Sequence, residues 1–96
     1  MQKKEILEAI LKNFNVKLRK SDYSSGSTIT LSGLERTHKL VCPRTWSSAN
    51  TKSEHVRGML LKLNLDISDS DVSAGGTVTK SALLSILNAL ESRNQF

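Results

Sequence analysis

The chain has 96 residues, a net charge of +5 and a pI near 9.7, which sets a scale of one domain with a preference for anionic partners. No run approaches the ~20 apolar residues of a membrane-spanning helix, and no signal-peptide pattern opens the chain. The lone Cys42 excludes an intramolecular disulfide and a cysteine-rich zinc site, which fits a cytoplasmic protein.

Residues 3–14 predict an amphipathic helix, because Ile6, Leu7, Ile10, Leu11 and Phe14 recur at spacings of three and four. Residues 16–20 then alternate. Val16 and Leu18 point one way and Lys17 and Arg19 the other, with Lys20 beside the turn, as in a half-buried strand with a cationic outer face. A Ser-rich turn with Tyr23 at its tip leads to a second alternating stretch over 27–31. Gly33 reads as a breaker, and 38–42 reads as a third strand stopped by Pro43. Nothing between these stretches is long enough for a parallel crossover, so they predict a three-stranded antiparallel meander. Cys42 reads as a buried small hydrophobe.

A polar loop carries Arg44 and Trp46. Thr51, with Glu54 three residues on, opens a helix over 51–64 whose apolar stripe is Val56, Met59, Leu60 and Leu63. Residues 65–79 read as an acidic, glycine-containing linker. From Asp69 they resemble a calcium loop, but the sixth position is Ala74 and the twelfth is Lys80, so no metal is expected. Residues 80–92 predict a last helix with an apolar face of Ala82, Leu83, Ile86, Leu87 and Leu90. That face buries in cis or forms the seam of a homodimer. The expected fold class is α+β: an αβββα core over 1–64, a linker over 65–79 and a C-terminal helix over 80–96, in one domain.

On Leu40-Val41-Cys42-Pro43 and the following Val56-Arg57-Gly58-Met59-Leu60-Leu61-Lys62, the layout resembles the double-stranded-RNA-binding-domain fold, including toxins of the HicA type. The resemblance implies RNA recognition. It does not carry over RNA cleavage, because Gly26-Ser27-Thr28 stands where those toxins have Gly-Ser-His, and Thr28 lacks an imidazole for general-base work. His38 and His55 are free to meet in space, yet without an acid or Cys partner they read as surface residues. No nucleophile elbow, phosphate loop or His-Glu-x-x-His is present. The expected function is therefore non-enzymatic and needs no cofactor.

Charge is uneven. Residues 1–62 hold twelve Lys/Arg against five Asp/Glu, and residues 63–96 hold two against four. The basic part predicts a nucleic-acid interface, RNA or DNA. Lys17, Arg19, Lys20, Arg44, Lys52 and Arg57 would meet phosphates, and Tyr23 and Trp46 would stack on bases. The alternative is a small inhibitor or adaptor, of the kind found in phages and mobile elements, that binds an acidic or nucleic-acid-handling protein complex, with Trp46 as its hot spot.

Overall fold

Thr30, Thr51 and Thr79 each stand one residue ahead of an apolar periodic stretch, and each caps a helix. Their hydroxyls accept the backbone N–H of Gly33 at 3.0 Å, Glu54 at 3.3 Å and Ala82 at 3.3 Å. In the computed structural model, which describes residues 2–24, 28–73 and 76–93, these caps open α2 (Leu31–Val41), α3 (Lys52–Leu61) and α4 (Lys80–Arg93). The first helix, α1 (Lys3–Leu11), runs into a short 3₁₀ turn and stops at Asn15, whose φ of 59° takes the chain out of the helix.

The fold is all-α. The expected meander is absent, and so is the αβββα layout implied by the double-stranded-RNA-binding resemblance. Among the described residues, β structure amounts to two isolated antiparallel bridges, Tyr23 with Ile29 and Val72 with Val78. Residues 38–42, expected as the third strand, end α2. Lys39 and Leu40 are exposed, Leu40 at 61%, while Leu34, Thr37, His38 and Val41 are buried at helical spacing. Residues 16–18 do alternate, with Val16 and Leu18 half-buried and Lys17 exposed, but among the described residues no strand pairs with them. The 27–31 strand reduces to the single bridge at Ile29 before Thr30 caps α2; its first residue, Ser27, lies outside the described residues, as do Gly26, Gly75 and Phe96. The span 65–79 is not a plain linker. It contains a 3₁₀ turn, a bridge and the buried Ile67 and Val78.

The hydrogen bonds expose an internal repeat. Asn15 and Asn64 both have φ 59°, and that pair sets the shift at 49 residues. At the same shift Ser21, Asp22, Ser24, Gly26, Thr28, Thr30, Ser32 and Leu34 recur as Ser70, Asp71, Ser73, Gly75, Thr77, Thr79, Ser81 and Leu83, without a gap. The bonds recur with them. Ser24 N–H donates to the Thr28 carbonyl at 2.7 Å, and Ser73 to Thr77 at 2.8 Å. Thr30 N–H donates to the Asp22 carbonyl at 2.8 Å, and Thr79 to Asp71 at 2.9 Å. The Asp22 carboxylate accepts the Arg19 N–H at 2.7 Å, and that of Asp71 accepts the Ser68 N–H at 2.8 Å. Each unit is therefore helix, left-handed Asn, loop, Asp-centred 3₁₀ turn, one bridge, helix.

The two units are interlocked. α1 packs on α4, and α2 packs on α3. Exchanging the units turns the first pair into the second, which is the signature of an internal pseudo-two-fold axis. All four helices feed one aliphatic core. The apolar face of α4 that suggested a dimer seam is buried within the chain, with Leu83 at 3% and Leu90 at 3% exposure.

The α2–α3 seam holds an unusual pair. His38 and His55 are 2% and 0% exposed, with their Nδ1 atoms 2.9 Å apart and their rings edge to face. They do meet, but in the core and not on the surface. Gly58 makes room for them. A Cβ there would fall 2.6 Å from His38 Nε2 and 2.7 Å from Cε1. So Gly58→Ala is expected to destabilise by about 1–3 kcal/mol through overpacking, although alanine is the better helix former by about 1 kcal/mol. In the His38→Ala background the same change should become stabilising. Urea unfolding of the two singles and the double reads the change of sign.

Candidate binding site on the internal two-fold

Both α1 and α3 begin with lysine, Lys3 and Lys52, and these positions are 49 apart. Lysine at a helix N-terminus opposes the helix dipole and stabilises nothing locally. Here both lysines stand on the rim of one cavity of ≈ 160 Å³, joined by Lys4. The floor is aliphatic and comes in matched pairs: Leu7 with Val56, Ile29 with Val78, and Leu34 with Leu83, all 6% exposed or less. Thr28 and Thr77 complete the lining. Every lining residue but Lys4 therefore has its repeat-equivalent in the lining, which places the cavity on the pseudo-two-fold axis. At the position equivalent to Lys4 the second unit has Ser53.

No carboxylate lines this cavity. Glu5 and Glu54 belong to the same first turns, but Glu5 accepts the Gln2 N–H at 3.0 Å and Glu54 accepts the Thr51 hydroxyl at 2.9 Å. The threonine hydroxyls are also engaged, Thr28 with Ser24 and Thr77 with Ser73, each at 2.6 Å. The backbone donors opening α3 are used internally. Ser53 N–H donates to the Gly76 carbonyl at 2.9 Å, and Glu54 N–H goes to Thr51. The lining therefore holds three lysines and the starts of two helices around an aliphatic floor, with the Lys4 ammonium 5.2 Å from the Tyr23 ring centroid.

The eight residues singled out from the sequence do not form one surface. Lys52 is on the cavity rim. Lys17, Arg19 and Lys20 are exposed on the loop after α1. Arg44 is exposed after α2 and borders a second cavity of ≈ 690 Å³ with Glu54, Lys62, Leu61 and the buried His38. Trp46 and Tyr23 are half-buried and already face cations. Lys39 Nζ lies 5.5 Å from the Trp46 ring centroid, and Lys4 Nζ lies 5.2 Å from that of Tyr23. Arg57 is held along the surface in an exposed ion pair, its Nε 2.9 Å from Asp66 Oδ1 and its NH2 donating to the Ile67 carbonyl. Among the described residues no group of three or more His, Cys, Asp or Glu could hold a metal. No described helix is long and apolar enough to cross a membrane.

Lys3, Lys4, Thr28 and Thr77 escaped the sequence reading. The Ser-Asp-x-Ser-x-Gly-x-Thr pattern at 21–28 and again at 70–77 sets a register that pairs Thr28 with Thr77 and Lys3 with Lys52 when the chain is laid against itself, and leaves Lys4 without a lysine counterpart.

Comparison with protein-family models, with curated proteins and with solved structures found no match.

Proposed function

We propose that this protein is a non-enzymatic, cytoplasmic interaction module that captures an acidic segment of a partner protein at the two-fold cavity. One observation carries the reading: three lysines and no carboxylate line a cavity whose floor is aliphatic. Such a site rewards an apolar side chain flanked by negative charge. A nucleobase fits it poorly, because the polar edges of the base would lose their hydrogen bonds against Leu7, Ile29, Leu34, Val56, Val78 and Leu83. Two features support the non-enzymatic part: the cavity lining holds no His, Cys, Asp or Glu, and the two imidazoles are buried and hydrogen-bonded to each other away from it.

Nucleic-acid binding is a second reading, favoured by the charge of the first unit. Residues 1–49 hold nine Lys/Arg against four Asp/Glu, whereas residues 50–96 hold five of each. Lys12, Lys17, Arg19 and Lys20 are exposed on one stretch of that unit. Contacts of this kind would track phosphates and weaken steeply with salt.

The test uses Lys3→Gln/Lys52→Gln. Against an acidic peptide with one leucine, this double variant should lose about ten-fold in affinity, from roughly 0.5–1 kcal/mol per rim charge. Lys17→Gln/Lys20→Gln should leave peptide affinity unchanged. If only the second variant weakens binding, and does so with RNA or DNA duplexes or single strands, the nucleic-acid reading stands and the docking reading falls.

A further inference from the structure

A cavity of about 150 Å³ admits one benzene-sized group, and ≈ 160 Å³ is available here. That fixes the apolar anchor at a single leucine or phenylalanine side chain. The anchor then sits on the pseudo-two-fold axis, because the floor is built from equivalent halves of the two units, such as Leu34 with Leu83 and Ile29 with Val78.

An axis through the anchor has a consequence for the rest of the ligand. A peptide leaving the cavity in either direction meets a lysine at the start of a helix: Lys3 on one side, Lys52 on the other. Rotating the peptide by half a turn reverses its chain direction but leaves anchor and flanking charges facing equivalent groups. Only Lys4 breaks the equivalence, giving the α1 side two ammonium groups where the α3 side has one.

We infer that the site recognises a partner segment without regard to its chain direction: one apolar anchor with acidic residues on one flank or both, the more acidic flank lying over Lys3 and Lys4. This rests on the docking reading given above and adds which orientations are accepted and what chooses between them. Charge asymmetry, and not backbone polarity, sets the orientation, since no backbone group of the cavity is required to pair with the ligand as it would be at an open strand edge.

The experiment compares a capped peptide, Asp-Glu-Asp-Gly-Leu-Gly-Ser-Gly, with the same sequence reversed. Each carries a nitroxide at its acidic end, and both are titrated into the intact protein by NMR. The two affinities should agree within about three-fold, and both labels should broaden amides at the start of α1. In Lys4→Ser, which gives the first unit the residue found in the second, each label should broaden the starts of α1 and α3 together. A difference above about ten-fold between the two peptides, or a label that moves from α1 to α3 when the sequence is reversed, overturns the inference and leaves the docking reading in place. If neither peptide binds, the docking reading fails and takes the inference with it.

Discussion

Arg36→Ala is expected to destabilise the protein by about 2–3 kcal/mol, the low side of what removing one partner from a buried ion pair costs. Asp22 is 4% exposed, and its carboxylate is held by both Nε and NH2 of Arg36, with Nε at 3.2 Å, and by the Arg19 N–H at 2.7 Å. Without the guanidinium a buried carboxylate keeps one backbone donor. The Arg36 side chain is 26% exposed, so water reaches part of the vacated space, and this sets the value below a fully enclosed pair. For a domain of this size the loss corresponds to a fall in Tm of roughly 10–20 °C. Thermal unfolding measures it. The internal control is Arg57→Ala: its pair with Asp66 is 40% and 60% exposed, and the variant should melt near the wild type. Equal effects of the two substitutions would refute the assignment of Asp22–Arg36 as the stabilising buried pair.

The pH dependence follows from the same contact. The hydrogen bond from Arg36 holds the Asp22 carboxyl below its usual 3.8, against the opposing pull of burial. A carboxyl depressed by folding stabilises above its unfolded pKa, and that stability is lost as the pH falls below about 3.8. In Arg36→Ala the largest lowering influence is gone and burial is opposed chiefly by the N–H and charge of Arg19, so the carboxyl is depressed less and falling pH costs the variant less than the wild type. The stability gap between variant and wild type should therefore narrow toward pH 3.

The second large effect is at His38 and His55. In the neutral pair one Nδ1–H donates to the other ring's Nδ1 lone pair, which fixes opposite tautomers. One buried Nε2 is then an acceptor and the other a donor, and neither has a hydrogen-bond partner. Shifting by 49 residues shows what the equivalent seam uses. His55 corresponds to Ile6 and His38 to Leu87, both buried. His55→Ile alone strands the Nδ1 of His38 and should cost about 1–3 kcal/mol. His38→Leu/His55→Ile removes every stranded atom and should recover that loss, reaching or exceeding the wild type, as apolar replacement of a whole buried polar pair does. Burial first, and the neighbouring His55 second, push the His38 imidazole below its usual 6.5. The unfolded chain then binds the proton more readily, so wild-type stability should decline as the pH falls from 6.5 toward the lowered folded value. The double variant should be flat from pH 7.5 to 5. Urea midpoints at four pH values decide this. A wild type as flat as the double variant would mean that buried His38 does not resist protonation.

Much of this molecule is written locally. The four helices follow from their caps, Thr30, Thr51 and Thr79 among them, and from stretches such as Ile6, Leu7, Ile10 and Leu11. Asn15 and Asn64 end α1 and α3 because a left-handed residue cannot continue a helix. Leu40-Val41-Cys42 misled the reading for a physical reason. A short apolar run before proline is equally the last turn of a helix, and local periodicity does not separate the two. Lys17 and Arg19 do face outward from an extended segment, but alternation reports a half-buried backbone and not whether another strand lies beside it.

The 49-residue repeat was also in the sequence, carried by the polar turn residues that fix loop geometry and not by the apolar ones that a search for periodicity follows. What residue order alone does not contain is how the two units pack. Only the tertiary structure crosses them, α1 on α4 and α2 on α3. That crossing brings Lys3 and Lys52 to one rim and closes one aliphatic floor beneath them. It also puts His38 against His55 where the other seam has two hydrocarbons. The reason is energetic: a single helix–loop–helix unit cannot enclose its own apolar face, so each unit is completed by the other. The sequence by itself determined α1, α3, α4 and the repeated turns, through contacts a few residues apart, whereas residues 31–41 read as turn and strand and only the structure shows them as α2. Tertiary packing decided the site, because its lysines lie 49 residues apart and meet only when both units bury their faces together.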